Sequence, residues 1–569
     1  MFAYPNVIVV TLVLQSTLSR ELPETGVDPR SPAMSTDSRP DIDPALLASR
    51  RYTWLTQLAR HASQIPDRTA IRYLGETTTW AQLHERVERL AAALHSRGVG
   101  EGDRLALVMT NCREYVESVL AINRLGAIAV PVNFRLVADE ITWILDDCGA
   151  KGLLVDAPLA PIAGKVRAND PELLCLVAGG TAAGALSDAG PGAEDYDEVL
   201  AAADAAAAPQ VVVQETAICL IMYTSGTTGR PKGAMLSHLN LLMQSITIIR
   251  GWQLFADDEI TLVAAPLFHI AGIGAIAPML LIGGVTVIMP TKAFDPTETL
   301  DLLESERVTG VFLVPTQWQA LCTAAAEAKT SRDLALRAIS WGASPAPAST
   351  LQAMADTFPG LPNIAVFGQT EMSPVTCVLD GADALRKIGS VGKPVPTVAV
   401  RIVDEEMNDV PDGAVGEIVY RGPSLMEGYW DNPAATAEAF ADGWFHSGDL
   451  VRRDDEGFIY VVDRKKDMII SGGENIYCAE VESVLASHPK VQEVSLIGTP
   501  HPRWVETPLA VITPADPNDP PTLDDLNAWC RDRLASYKKP TAIEIVEALP
   551  RNASGKVLKG DLREKYATT

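Results

Sequence analysis

Tyr223-Thr224-Ser225-Gly226-Thr227-Thr228-Gly229-Arg230-Pro231-Lys232-Gly233 follows directly on the apolar run AICLIM, residues 217–222. The run reads as a buried strand and the eleven residues after it as a loop. Four hydroxyl side chains and three glycines let hydroxyls and backbone N–H groups converge on an anion. Lys232 adds a cation. The string is not a Walker A loop, which needs Gly-Lys-Ser/Thr. A glycine-rich turn with no ligand is the ordinary reading of such a loop, but this string is far more specific than that.

Upstream of the loop, from about residue 52, amphipathic stretches alternate with short apolar ones. LTQLARHASQ, WAQLHERVERLAAALHSRG and REYVESVLAINRLG have helical spacing, whereas RLALVM, IAVPV and GLLVD are strand-like. The Ala/Gly-rich stretch 178–208 reads as a surface excursion. Downstream, TLVAAP, VTVIMP, GVFLVP and AISWG resume the alternation, which argues for doubly wound α/β architecture. After Lys393 the texture changes to hairpin strands around turns (398–422 and 440–464). Beyond Lys466 an α+β pattern follows, with helices over 478–489 and near 523–534 and strands over 491–498 and 542–546. No internal repeat is present.

A chain of 569 residues exceeds one core, so several domains are expected. The formal charge of 47 − 72 = −25 repels phosphate backbones, which excludes nucleic acid as the partner. No two of the eight cysteines (Cys112, Cys148, Cys175, Cys219, Cys322, Cys377, Cys478 and Cys530) stand at CxxC spacing, so no zinc cage or redox dithiol is signalled. They read as buried thiols of a cytoplasmic protein. The N-terminal apolar stretch Phe2–Leu14 lacks a basic n-region and a cleavage site, so it does not read as a signal peptide. Residues 1–50 read as a disordered extension, within which Met34 heads a second plausible start. The charge-free run 262–291 is long enough for a membrane span, but three prolines, four glycines and His269 divide it into strand, loop, helix and strand. No transmembrane segment is expected; a peripheral membrane association stays open.

TSGTTGRPKG resembles the signature of the adenylate-forming (AMP-binding) superfamily of acyl-CoA synthetases, adenylation domains and luciferases. PLFHIAG (266–272), WGASPAP (341–347), FGQTEMSP (367–374), WFHSGDL (444–450), DRKKDMIISGGENIY (463–477) and ASGKVLK (553–559) follow in the superfamily's order. Within it, the chain most resembles bacterial fatty-acyl-CoA synthetases. The resemblance implies an α/β fold, with a large N-terminal domain (51–465) of two α/β sheets plus a distorted β-barrel. A small hinged α+β C-terminal domain (466–569) follows. It also implies a two-step ligase: ATP converts a carboxylic acid to an acyl-adenylate with release of pyrophosphate, and the CoA thiol then displaces AMP.

The resemblance assigns roles residue by residue. Thr224, Ser225, Gly226, Thr227, Thr228, Gly229 and Lys232 would cradle the β- and γ-phosphates. Thr370 would contact the α-phosphate and Glu371 would bind Mg²⁺. Phe367, with Gly368 and Gln369 beside it, would stack on adenine opposite Ala343, Ser344 and Pro345. Asp449 and Arg464 would hold the ribose, although Arg464 could instead pair with Asp467. Lys556 would bridge the acid's carboxylate and the α-phosphate, while Lys538, Lys539 and Lys559 read as plain surface lysines. His269 would gate the acyl and CoA channels, Lys466 would be the hinge, and Gly472 and Gly473 would let pantetheine pass. Two departures stand out. Cys478 replaces a common Pro, and Val505 stands where relatives often carry Gly, so a β-branched residue would strain that turn.

For the acyl pocket, Gly272, Gly274, Trp318 and Trp341 are the candidates. No charged pair is available for an amino acid's ends, so a hydrophobic, fatty-type acid is expected. Loading of a carrier protein acting in trans is the alternative to CoA, and a non-catalytic nucleotide-binding module is the reading from another class. Retention of Glu371, Asp449, Arg464 and Lys556 together argues against the latter. A homodimer stays open.

Overall fold

Strand Ile218–Thr224 and strand Lys232–Ser237 form an antiparallel hairpin around the loop quoted above, near one edge of an eight-stranded sheet, with only the short strand Gly428–Tyr429 outside it. Parallel neighbours Ile128–Pro131, Arg104–Val108, Ala150–Asp156 and Leu174–Ala178 continue that sheet. Both faces are covered by helices, which is why these strands read as continuous apolar runs. The computed structural model describes residues 50–224, 230–328, 332–471, 474–531, 533–551 and 557–566. The calls on residues 1–49, including the start at Met34, lie outside the described residues.

A second sheet has thirteen strands among the described residues. Its parallel part comprises Thr69–Tyr73, Val285–Ile288, Ile260–Val263, Gly310–Leu313, Ala338–Gly342 and Asn363–Gly368. The helices between them start at recognisable caps. Asp295 accepts from the amides of Thr297 and Glu298 ahead of Pro296, and Ser237 and Asn240 form a reciprocal capping box. The run 262–291 divides as its prolines and glycines require, into strand Ile260–Val263, helix Ile270–Ile282 and strand Val285–Ile288. No helix among the described residues is long and apolar enough to cross a membrane.

The antiparallel strands after Lys393 continue the same sheet. Ser390–Pro394 pairs with Val375–Leu379 on one side and with Ile459–Arg464 on the other. The layer expected as a distorted barrel is therefore the open end of the large sheet, with no closed ring among the described strands. A third, five-stranded sheet holds Ile469–Ser471, Glu474–Ile476, Val491–His501, Val505–Pro514 and Ala542–Ile545, with helix Cys478–Ala486 over it.

The stretch 178–208 is not an excursion. It supplies the edge strand Glu194–Asp195 and helix Tyr196–Ala202. The Arg167 guanidinium binds four of its surrounding carbonyls, those of Leu173, Ala189, Pro171 and Pro191, and the buried Tyr196 hydroxyl donates to Glu117. Alanines and glycines conceal this from periodicity because they pack closely without a strong apolar signal. Helix Lys559–Tyr566 was not anticipated either; one buried residue, Leu562, anchors it.

Candidate functional site

Thr224 and Lys232 are register partners at the end of this hairpin, so the loop between them starts and returns at one point. Its rim is anchored: the Arg230 guanidinium lies 5.4 Å from the Trp143 ring and the Tyr223 hydroxyl donates to Asp147 at 2.5 Å. Ser225, Gly226, Thr227, Thr228 and Gly229 lie outside the described residues. The Thr224 hydroxyl donates to Glu371 at 3.3 Å, and the Tyr429 hydroxyl donates to the same carboxylate oxygen at 3.1 Å. The Lys232 ammonium stands 5.2 Å from the Tyr429 ring centre. Burial and the neighbouring Glu371 push the Tyr429 phenol far above its ordinary range, so it stays a donor.

Glu371 reaches this point from the other sheet. Strand Asn363–Gly368 turns through Thr370–Met372 and returns as Val375–Leu379. A side chain at Gly368 would place its Cβ 1.7 Å from the Pro374 carbonyl oxygen, so only glycine permits this closure. Gln369 donates its amide to that carbonyl at 2.8 Å. The Glu371 carboxyl group is held in a residue only 8 % exposed. Phe367 and the exposed residues Ala343, Ser344 and Pro345 sit at the C-terminal ends of adjacent parallel strands, where open α/β sheets place ligands. Ala343 has φ +67° there, which turns the chain off the strand end.

Asp449 and Arg464 face each other on paired strands, with Arg464 Nε 2.6 Å from Asp449 Oδ1. Asp449 is 2 % exposed. Asp467, the other partner weighed for Arg464, binds Arg563 instead at 2.8 Å. Burial pushes up the thiol of Cys377, the register partner of Phe367, and the Asp449 charge adds to the rise. The turn carrying Asp449 is held by Glu417, a residue absent from the expectations. Its carboxylate contacts His446 Nδ1 at 3.1 Å and accepts from the Gly448 amide at 3.0 Å.

His269 caps helix Ile270–Ile282: its Nδ1 accepts the Ala271 amide at 3.1 Å. Burial lowers its pKa below the ordinary value, so the ring is neutral with its proton on Nε2. Asn111 fixes this turn from the first sheet, accepting from the Leu267 amide and donating to the Ala265 and Met289 carbonyls. Asn111 and Tyr429 are functional candidates that sequence reasoning missed. A lone Asn or Tyr has no spacing signal, and only the fold brings each to the site.

The acyl-pocket candidates divide. Gly274 stands where an added Cβ would lie 3.5 Å from Pro374 Cδ and 3.9 Å from Ile248 Cδ1, which puts it on a wall next to the Thr370–Met372 turn. Gly272 serves a different purpose, since a Cβ would lie 2.5 Å from the Pro266 carbonyl oxygen; it lets the helix close on its own entry turn. Trp318 is a core residue, 0 % exposed, with its indole N–H donated to the Ser340 carbonyl at 2.9 Å. Trp341 packs in the same cluster with Leu313 and Leu351. Strand side chains alternate between faces. Adjacent residues Leu262 and Val263, and Val287 and Ile288, divide between that cluster and the one containing Ile270 and Ile273. Both tryptophans therefore lie across the sheet from Gly274, and the expectation that they line an acyl pocket is corrected.

Gly472, Gly473 and Lys556 lie outside the described residues. Lys466 is exposed in the turn between strands Ile459–Arg464 and Ile469–Ser471. Asp463, just before it, accepts from the amides of Arg464 and Cys478. Lys559 is not a plain surface lysine: its ammonium pairs with Glu482 at 2.8 Å, and Lys538 pairs with Glu480 of the same helix at 2.6 Å. Cys478 is buried at the start of its helix. Val505 has φ +71° and is 69 % exposed, which is the conformation expected to strain it.

Glu371, Thr224 and Tyr429 present oxygen donors only, which suits a hard cation such as Mg²⁺. No group of three or more His, Cys, Asp or Glu side chains that could hold a metal occurs among the described residues. One carboxylate that shares the ion with substrate phosphates is the usual arrangement for Mg²⁺.

Residues 58–430 match the AMP-binding enzyme family model, and residues 480–556 match that of the AMP-binding enzyme C-terminal domain. The chain is 44 % identical over 508 residues to feruloyl-CoA synthase of an Amycolatopsis species, covering 89 % of this chain and 98 % of that protein. It is 37 % identical over 511 residues to indoleacetate–CoA ligase of Aromatoleum aromaticum, covering 89 % and 97 %. Among solved structures it is similar to o-succinylbenzoate CoA synthetase (MenE) from Bacillus subtilis in complex with ATP and magnesium ion. That match has TM-score 0.77 and 31 % identity, covering 90 % and 99 % of the two chains. The chain thus belongs to the AMP-binding enzyme family and is an adenylate-forming CoA ligase whose substrates are a carboxylic acid, ATP and CoA, with Mg²⁺ as the metal.

Proposed function

We propose that the acid is aromatic, of the hydroxycinnamate class, and that the residues assembled above carry out both half-reactions. The single observation that carries the site assignment is the meeting of Thr224, Lys232, Tyr429 and Glu371, drawn from two sheets. The aromatic reading is supported by relatives named for feruloyl and indoleacetate substrates. A fatty acid is the second reading, favoured by the chain's motif resemblance to fatty-acyl-CoA synthetases.

In the first step a carboxylate oxygen attacks the α-phosphorus, the bond to the bridging oxygen breaks, and pyrophosphate leaves. Two anions must approach, so the step needs fixed positive charge and alignment. Lys232 and the loop hydroxyls hold the outer phosphates. Thr370 orients the α-phosphate, and Lys556 screens the carboxylate as it arrives. Glu371 would hold Mg²⁺, which when bound would supply positive charge to the phosphates. The Asp449 carboxylate accepts from the ribose hydroxyls and is itself oriented by Arg464. Neutral His269 can donate its Nε2 proton to the acid's carboxylate. In the second step the CoA sulfur attacks the acyl carbon, the C–O bond to AMP breaks, and the thiol proton passes to solvent. We place the domain boundary at 465/466, with Lys466 as hinge and Gly472–Gly473 along the pantetheine path.

The test is pyrophosphate release that requires both ATP and acid, over a panel of hydroxycinnamates, arylacetates and fatty acids of graded length. The acceptor is then tested with CoA and with a carrier protein. Lys556→Ala should cut pyrophosphate release by about 10²-fold while thioester formation from supplied acyl-adenylate persists. Equal loss of both half-reactions would make that lysine structural. A panel answered only by fatty acids would reject the aromatic reading.

A further inference from the structure

We propose that Gln244 is a specificity-determining residue that reads a hydrogen-bonding substituent at the far end of the bound acid. The inference rests on the aromatic reading above. Gln244 lies on helix His238–Gly251 and is 2 % exposed, yet neither its amide oxygen nor its amide nitrogen has a partner among the described residues. A primary amide offers two donors and two acceptor sites, and burying all of them unmet is costly.

Its position indicates where that amide is directed. Residues four apart share a helix face. One turn before Gln244, Asn240 is held by the carbonyls of Pro423 and Leu425, each at 2.9 Å. One turn after it, Ile248 reaches to within 3.9 Å of the Cβ position at Gly274, the same point that Pro374 approaches at 3.5 Å. Gln244 is therefore bracketed by the 423–425 segment and by the wall that Gly274 and Pro374 form next to the Thr370–Met372 turn. Two further fully buried hydroxyls without partners among the described residues stand on these segments: Ser424, between the carbonyls that hold Asn240, and Ser373, beside Pro374.

The groups that approach Gly274, Ile248 and Pro374, are apolar and offer the amide no hydrogen bond, which suits the ring of an aromatic acid carrying its own polar substituent. Gly274 is five residues into the helix that His269 caps, about 7 Å along its axis at the usual rise. That offset matches a substituent on the ring rather than the carboxyl end. A hydroxyl there would both donate to and accept from Gln244. A site built around such a hydrogen bond rejects the analogue that lacks it, because its own polar groups are then left unpaired.

The experiment compares kcat/KM for 4-hydroxycinnamate and cinnamate in the wild-type enzyme, in Gln244→Met and in Gln244→Glu, with thermal midpoints recorded for each. Methionine keeps the length and loses the hydrogen bonds. The wild type should favour the hydroxylated acid by at least about 10-fold, and Gln244→Met should bring the ratio close to one. Its kcat/KM for cinnamate should stay within about threefold of wild type and its thermal midpoint should not fall. Gln244→Glu, which still accepts a hydrogen bond, should keep a preference for the hydroxylated acid. An unchanged ratio, or a parallel loss for both acids with a lowered midpoint, overturns the role of Gln244 and leaves the aromatic reading standing. Failure of the wild type to activate either acid overturns the aromatic reading, and this inference with it.

Discussion

Val505→Gly should stabilise the protein, although it removes a side chain. Val505 closes the hairpin between Val491–His501 and Val505–Pro514, paired with His501, and it also pairs with Ser471 on the neighbouring strand. Its φ of +71° is left-handed, which costs an L-residue roughly 1–2 kcal/mol. At 69 % exposure the isopropyl group contributes well under about 1 kcal/mol of burial. Glycine returns about 0.5–1 kcal/mol through the freedom of its unfolded chain. The balance is a gain of up to about 1 kcal/mol, or roughly 4–8 °C if the unit that unfolds has 60–100 residues. Val505→Asn separates strain from chain freedom, because Asn tolerates φ > 0 without glycine's entropy; it should gain at least as much. Val505→Ile keeps the strain and should leave the midpoint unchanged. Calorimetry on the three variants decides the matter. Lowered midpoints in both Val505→Gly and Val505→Asn would refute the strain argument.

Three further outcomes are expected. Glu371→Gln should raise the Mg²⁺ concentration needed for pyrophosphate release and slow that step by about 10²-fold; coincident Mg²⁺ titrations would remove the metal assignment. Lys466→Pro should keep ATP–pyrophosphate exchange within several-fold and nearly abolish thioester formation, because it stiffens the backbone where rotation is required. The Lys466 amide has no acceptor among the described hydrogen bonds, so no bond is lost in this state; Lys466→Ala should change little, and normal CoA ligation by the proline variant would sink the hinge. Burial pushes the Asp463 carboxyl up to about 6, against the pull of the Lys559 ammonium and the Arg464 and Cys478 amides, with Glu482 adding to the rise. A raised folded-state pKa favours the protonated form, so its contribution is full below about 3.9 and is lost as pH rises through 6. Asp463→Asn cannot ionise and should therefore gain in thermal midpoint over wild type between pH 4 and pH 7; a pH-independent difference between the two would show that Asp463 does not titrate there.

The alternation of apolar strands with amphipathic helices was legible because periodicity and turn residues are local properties. Segments such as Arg104–Val108, Ala150–Asp156 and Ile218–Thr224 appear as strands within two residues of where they were read. The edge made from 178–208 was not legible, since it depends on Arg167 and Tyr196 finding partners far along the chain. The same division runs through the site. The loop at 224–232 announces itself by its hydroxyls and glycines and the turn at 367–374 by its motif resemblance, while the structure adds that the approach of Pro374 requires glycine at Gly368. Tyr429, Glu417 and Asn111 do not, because each acts through long-range hydrogen bonds or ion contacts that no spacing encodes.

By itself, then, the sequence determined the α/β class, a consequence of local periodicity, and through its motif resemblance it pointed to the loop at 224–232, to Glu371 and to Val505. Only the tertiary structure decided which face of a strand a side chain takes. Trp318 and Trp341 looked like pocket walls but belong to the core across the sheet from Gly274, whereas Gln244, unremarked in the sequence, is buried with its amide unpartnered among the described residues. The reason is that strand alternation and helix rotation carry no absolute direction until the layers pack, and packing is a property of residues distant in the chain.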